Sequence, residues 1–127
     1  MTILRAGRRL RVESAGSLSE GQLSVLSILF TYGPLSPGEL AEREHVRPPS
    51  MTRTVQFLES EGFVLRTDDP RDRRSVLIEL SEEGAEYIRE TRRRRDQWIQ
   101  RRLASLTREE RLVLSEAEEI LRKVVNS

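Results

Sequence analysis

The segment Asp68-Asp69-Pro70-Arg71-Asp72-Arg73-Arg74-Ser75 constrains the fold more than any other stretch of the chain. It reads as a short, arginine-dense loop between two apolar runs, Phe63-Val64-Leu65 and Val76-Leu77-Ile78. Both runs have strand character. β-Branched and aromatic residues dominate them, and Val76, Ile78 and Leu80 share a face by period-two alternation. A two-stranded ribbon with three arginines at its tip offers little surface to a core. It suits contact with phosphates, or insertion of a guanidinium into a minor groove. A purely structural arginine loop is the competing reading, and the residues upstream favour the former.

Two helix signals separated by a tight break precede the ribbon. Ser36-Pro37-Gly38-Glu39 is a helix start: Ser36 caps free N–H groups, Pro37 suits the first helical position, and Glu39 completes a capping box. That helix is short, ending near Glu44, because Pro48 and Pro49 cannot continue a helix interior. A second helix is expected from about Pro49 to Glu61, with Met51, Val55 and Leu58 facing inward and Gly62 closing it. Helix, turn, helix and arginine-tipped ribbon make a winged helix-turn-helix, with the second helix placed to enter a major groove.

At this point the chain resembles the MarR (multiple-antibiotic-resistance regulator) family of bacterial transcription factors. Four fragments carry the resemblance: "LSEGQLSVLSIL", "LSPGELAEREHV", "FLESEGFVLRTDDPRDRRSVLIELSEEG" and "LTREER". The third is the most specific, joining an Asp-Pro-X-Asp-Arg-Arg wing to an alternating strand and Ser-Glu-Glu-Gly. The expected fold is mainly α with a small β-wing. A single domain over 1–127 is expected, with a DNA-binding core at 18–80 and dimerisation helices at 1–13 and 81–127.

Charge and composition bound the alternatives. Net charge is only +1, so any DNA affinity must come from segregated charge rather than from its total. Of 22 basic residues only Lys123 is lysine, a bias that a need for forked donors and an arginine-rich genome explain equally well. With zero cysteines there is no disulfide framework, zinc ribbon or thiolate nucleophile. The peroxide-sensing thiol of some members of the resembled family is excluded on the same ground. The one histidine, His45, falls in the interhelical turn without a cluster of carboxylate partners, so no metal site or cofactor is expected. No serine elbow or phosphate-binding glycine loop is present, which argues against an enzyme. No apolar run reaches the roughly 18–20 residues of a membrane span, and the basic N-terminus lacks an apolar signal core. A cytoplasmic protein without membrane contact is expected.

The remaining pattern is helical. Ser19-Glu20-Gly21-Gln22 opens a helix whose Leu23, Leu26, Ile28, Leu29 and Phe30 are expected in the core. Ser81-Glu82-Glu83 opens a long helix with Ile88, Trp98, Ile99 and Leu103 along one side, and Thr107-Arg108-Glu109-Glu110 opens a last one. These terminal helices are too long and too apolar to be consumed by a winged core of this size, which points to pairing with a second copy. The resemblance implies the same homodimer, with Leu4, Leu10, Trp98, Leu103, Leu114 and Leu121 as its contacts. A monomeric cap is the competing reading. One departure stands out: only about a dozen residues, Met1 to Glu13, are available for the first helix, fewer than is usual in the family. A trimmed start and a reduced dimer contact both remain open. The run Arg92-Arg93-Arg94-Arg95 points around most of a helix, so a solvated face with Glu90 paired to Arg94 is expected over a phosphate-binding one.

On the second helix of the motif, Ser50, Arg53, Thr54 and Gln56 are left toward the groove. Arg53 suits a bidentate contact with guanine, Gln56 pairs with adenine, and Ser50 bonds a base or phosphate. Pro49 puts rigid surface near the helix N-terminus, where phosphate is favoured, and Arg47 adds charge where the family often has a capping Ser or Thr. In the wing, Arg73 and Arg74 at the tip are the minor-groove candidates, by resemblance and by position. Asp72 orients an arginine, and Arg71 lies along the backbone. The partners are therefore double-stranded DNA and a second copy of the chain. The resemblance further implies a repressor relieved by a small aromatic or phenolic effector, often anionic, for which Arg8, Arg9 and Arg11 would supply cations; a solvated helix face is the competing reading of those three. The alternative function is a winged-helix protein-interaction module that does not bind DNA.

Overall fold

The computed structural model describes Arg5 and residues 17–126. Among these residues the order is α1 (Glu20–Tyr32), α2 (Pro37–Glu44), α3 (Pro48–Ser60), β1 (Val64–Asp69), β2 (Asp72–Leu80), α4 (Glu82–Leu103) and α5 (Arg108–Asn126). The fold is mainly helical with one antiparallel hairpin, the winged helix expected from the sequence. Two compact units divide the chain, one ending at Arg94 and one beginning at Arg95.

Three helix starts follow the capping rule. Ser19 and Gln22, and likewise Ser36 and Glu39, exchange side chain-to-backbone bonds, and Thr107 and Glu110 do the same at α5. Each box satisfies donors that a helix N-terminus otherwise leaves open. At Glu110 the two hydrogen bonds from Thr107, backbone first and hydroxyl second, hold the carboxyl below the usual glutamate value. Between α2 and α3, His45 takes a left-handed conformation (φ 57°), and its N–H bonds the Ala41 and Glu42 carbonyls. This single residue turns the chain through the helix-turn-helix corner.

The core of the first unit sits where α1, α2, α3 and the hairpin meet. Val25, Leu26, Leu40, Met51, Val55, Leu58, Val64, Ile78 and Ile88 are fully buried. Each contributes on the order of 1.5–3 kcal/mol by leaving water. Of the side chains expected inside on α1, Leu26 and Leu29 are buried and Leu23 and Ile28 pack partly against the core. Phe30 is not buried but 36% exposed. Val25 takes the interior position instead, and the Phe30 ring lies under the guanidinium of Arg92 at 4.6 Å. The hairpin is fastened twice: Leu35 and Ile78 exchange backbone bonds of 3.1 and 2.7 Å, and Ser81 Oγ donates to the Gly62 carbonyl at 2.5 Å.

Gly84, in the first turn of α4, lies against the backbone of Phe63. A Cβ there would overlap the Phe63 carbonyl oxygen and come within 3.0 Å of Leu80 Cδ2. The glycine of the Ser-Glu-Glu-Gly pattern is thus a packing requirement: only a residue without a side chain lets α4 start against the hairpin's base.

In the second unit, α5 leaves Leu112, Val113, Leu114, Ile120, Leu121, Val124 and Val125 exposed within one copy of the chain. Trp98 and Leu103 on α4 are half-buried. Leu4 and Leu10, the cations Arg8, Arg9 and Arg11 and the rest of the Met1–Glu13 segment apart from Arg5 lie outside the described residues.

Candidate nucleic-acid interface

Helix α3 begins with Pro48 at its first position and Arg47 as its N-cap, which makes no side-chain cap bond. Pro48 and Pro49 have no N–H and the Ser50 N–H already bonds the Arg47 carbonyl at 3.0 Å, so attraction for an anion here comes from the helix dipole and the Arg47 charge rather than from free backbone donors. Met51, Val55 and Leu58 anchor one side of the helix. At about 100° per residue they define a buried direction, and Pro49, Arg53, Gln56 and Ser60 fall within roughly 50° of the opposite one. Arg53 and Gln56 are exposed. Ser50 and Thr54 lie on the flank and are half-buried. The Thr54 hydroxyl donates to the Ser50 carbonyl at 3.1 Å, so its donor is already used within the helix.

Two further residues of this helix, absent from the sequence candidates, are exposed. Thr52 is exposed, although its hydroxyl donates to the Pro48 carbonyl. Phe57 is 40% exposed beside Gln56. The helical wheel that selects Arg53 also selects Phe57, and only its apolar character hides it.

The wing differs from the sequence expectation in one respect. Residues 68–75 are not one loop: both strands run into the segment, and Pro70 and Arg71 alone form the turn. Its shape is set by aspartates. Asp69 Oδ1 accepts from the Arg71 N–H at 2.9 Å and Asp72 Oδ1 from the Arg74 N–H at 3.0 Å, side-chain turns typical of Asp. Between the Asp68–Val76 and Asp69–Asp72 pairs the ladder skips Arg73, Arg74 and Ser75. These three residues form a bulge, a device that re-aims side chains.

The arginine at the turn is consequently Arg71, whose guanidinium lies 3.5 Å from Asp69. Arg73 and Arg74 stand on the bulge beside it rather than at the tip, exposed and unpaired among the described residues. Asp72 orients Arg74 through its backbone and accepts from Ser75 Oγ at 3.2 Å; no bond to a guanidinium forms.

Helix and wing are linked. Arg66 on β1 donates to Glu59 on α3 at 3.0 Å. Both groups are about one-third exposed (36% and 39%), so screening leaves this pair a modest stabiliser and a useful orienting contact.

On α4, Glu90 takes Arg93 at 2.6 Å instead of Arg94, Arg95 lies 3.7 Å from Asp96, and Arg92 covers Phe30. Arg93, Arg94 and Arg95 are thus a solvated face carrying two ion pairs, and Arg92 is half-buried over the ring. Among the described residues no three His, Cys, Asp or Glu side chains gather as metal ligands, and no helix is long and apolar enough to cross a membrane.

A helix-turn-helix followed by an arginine-bearing wing is the arrangement matched by the family model for the MarR family, over residues 18–76. An HTH-type transcriptional regulator of Mycobacterium bovis is 43% identical over 127 residues, spanning 99% of this chain and 89% of the relative. The chain belongs to the MarR family. It is a helix-turn-helix transcriptional regulator of bacterial type, and members of this family are DNA-binding proteins rather than enzymes. The MarR-family chain is also similar to the HTH-type transcriptional repressor MdtR of Bacillus subtilis, 35% identical over 95 residues, 75% of this chain and 61% of that protein. Among solved structures, RV1404 of Mycobacterium tuberculosis superposes with a TM-score of 0.88 at 26% identity, covering 99% of this chain and 90% of the other. A MarR family protein from Bacillus stearothermophilus superposes with a TM-score of 0.79 at 25% identity, covering 99% and 86%.

Proposed function

We propose that this MarR-family regulator is a homodimeric repressor that binds near-palindromic operators in the cytoplasm and is relieved by a small aromatic or anionic ligand. The observation that carries the DNA-binding part is the alignment of two cationic elements on one lobe. Arg53 and Gln56 project from the exposed side of α3, and Arg73 and Arg74 from a bulged wing tied to that helix through Glu59–Arg66. Residues 18–80 serve as the DNA-binding core. In it Arg53 and Gln56 read base edges in the major groove, Arg47, Pro49 and Ser50 lie at the phosphate-facing helix start, and Arg73 and Arg74 enter the minor groove. Thr54 and Asp72 act by shaping the elements that carry these groups, and Arg71 lies along the backbone.

Dimerisation is supported by α5, whose Val113, Leu114, Ile120, Leu121, Val124 and Val125 share one side and are exposed in a single copy. An apolar row of that size on a soluble helix is a surface for a partner. A second copy brings the same row by symmetry, with Trp98, Leu103, Leu114 and Leu121 as contacts. Repression and release by ligand rest on family likeness, including the printed role of MdtR as a repressor.

The test is selection of duplexes from a random pool by the purified protein, with titration of the winner at several salt concentrations. An inverted repeat with half-sites about one helical turn apart, roughly 34–36 Å, is the expected result. Weak binding indifferent to sequence would overturn this function and favour the protein-interaction module.

A further inference from the structure

We propose that Phe57 is a specificity-determining residue that reads the C5 methyl group of a thymine in the major groove. This rests on the DNA-binding reading above and names a base that the polar residues of α3 leave unread.

The chain has three phenylalanines, and the other two have structural work. Phe63 stacks on Tyr87 with ring centroids 5.0 Å apart. Phe30 lies beneath Arg92 at 4.6 Å and Arg89 at 6.0 Å. Phe57 belongs to neither the core nor the partly buried shell around it, has no ring or guanidinium partner among the described residues, and is 40% exposed.

Its place on the helix gives the exposure a use. From the Met51–Val55–Leu58 side, Phe57 is turned by about 130°, on the same solvent-facing sector as Arg53 and Gln56. It follows Arg53 by one turn, about 6 Å along the axis, or roughly two base-pair steps. A hydrophobic ring there cannot hydrogen-bond a purine edge or a cytosine amine. The one apolar group that a base presents in the major groove is the thymine methyl, which aromatic and small apolar side chains contact. A thymine is therefore expected about two base pairs from the base that Arg53 reads, once in each half-site.

The experiment replaces thymine by deoxyuridine, which removes that methyl and leaves every hydrogen-bonding group in place. The probe is the duplex selected from the random pool, with each thymine substituted singly and symmetrically in both half-sites. Binding is measured with the full chain and with its Phe57→Ala and Phe57→Gln variants. For the unmodified protein, one position should lose about fourfold in affinity per half-site, the equivalent of one buried methyl group. Both variants should bind thymine and deoxyuridine duplexes within twofold of one another. They should also match the unmodified protein on the deoxyuridine duplex.

A selected operator with no methyl-sensitive position overturns the proposal while leaving the regulator reading intact. A methyl-sensitive position that stays equally sensitive in both variants overturns the assignment to Phe57. Uniform weakening of the variants on all sequences would place the ring against sugar or phosphate and overturns it too. If no sequence emerges from the pool, the inference and the regulator reading fail together.

Discussion

Gly84→Ala sets two effects of opposite sign against each other, and the structure decides between them. Helix propensity alone favours alanine by up to about 1 kcal/mol. Against it stands the contact of α4 with the hairpin. The added methyl would overlap the Phe63 carbonyl oxygen and reach 3.0 Å from both the Phe63 carbonyl carbon and Leu80 Cδ2. Carbon contacts are comfortable at about 3.5–4.0 Å, so the helix start must withdraw by at least ~0.5 Å, and by more to clear the oxygen. Three bonds cross this contact or lean on it: Ser81 N–H to Phe63 O at 3.1 Å, Ser81 Oγ to Gly62 O at 2.5 Å, and Gly84 N–H to Ser81 Oγ at 3.0 Å. Overpacking against backbone costs about 1–3 kcal/mol, and each weakened bond up to about 1 more. The net expectation is a loss of about 2 kcal/mol, or roughly 8 °C in Tm for a chain of this length. Thermal and urea unfolding of Gly84→Ala beside Gly21→Ala would measure it. Nothing lies within 4 Å of the added Cβ at Gly21, so that control should hold or gain stability. A Tm for Gly84→Ala equal to or above that of the unmodified protein would refute the argument, because it would mean that the close approach relaxes without cost.

Three further outcomes are expected. Thr91 is 5% exposed and its hydroxyl has no hydrogen-bond partner among the described residues, so Thr91→Val should raise stability by about 1 kcal/mol in urea unfolding; a loss would reveal a partner. Arg73→Ala and Arg74→Ala should each weaken operator binding and flatten the salt dependence, by about 0.9 per lost phosphate contact and twice that in a dimer; an unchanged slope in both would remove the wing from DNA contact. Thr107→Ala should bring Glu110 only part of the way back toward an ordinary glutamate titration, read by NMR, because it removes the hydroxyl contribution and keeps the larger one from the backbone N–H of residue 107. Since the folded value is depressed, the cap's contribution is present above the ordinary glutamate range and fades as pH falls through the lowered value. An unshifted midpoint would contradict this account.

What the residues reveal on their own depends on how local the physics is. The three capping boxes at Ser19, Ser36 and Thr107 are rules of three or four adjacent residues, and all three form. The inward spacing of Met51, Val55 and Leu58 is equally local, and those side chains are buried. Features that need a partner from elsewhere were hidden. Phe30 looks like core by pattern, yet its outcome depends on Arg92 arriving from α4. Gly84 is one letter in a motif until Phe63 is brought against it. In the wing, the Asp-Pro-Arg-Asp chemistry announces a turn, but not that the ladder would skip three residues and set Arg73 and Arg74 beside the tip. On the exposed side of α3, Arg53 and Gln56 could be picked out by periodicity and Phe57 could not, because an apolar residue on a helix is ordinarily assigned inward.

The Glu59–Arg66 bridge joins the last turn of α3 to the strand that leads into the wing. Val64 and Leu58 are buried in the same core, so packing together with this modest ion pair orients the wing against the helix. If α3 and the wing engage DNA as proposed, a protein built this way would measure its half-site. On that reading, the distance between the major-groove letters and the minor-groove stretch beyond them would be set by the protein more than by the DNA. Inserting one base pair between those two stretches would shift them by about 3.4 Å and rotate them by roughly a tenth of a turn, which the lobe cannot follow by stretching. Spelling errors within a half-site would each cost one contact, whereas an error of spacing would forfeit one whole end of the grip.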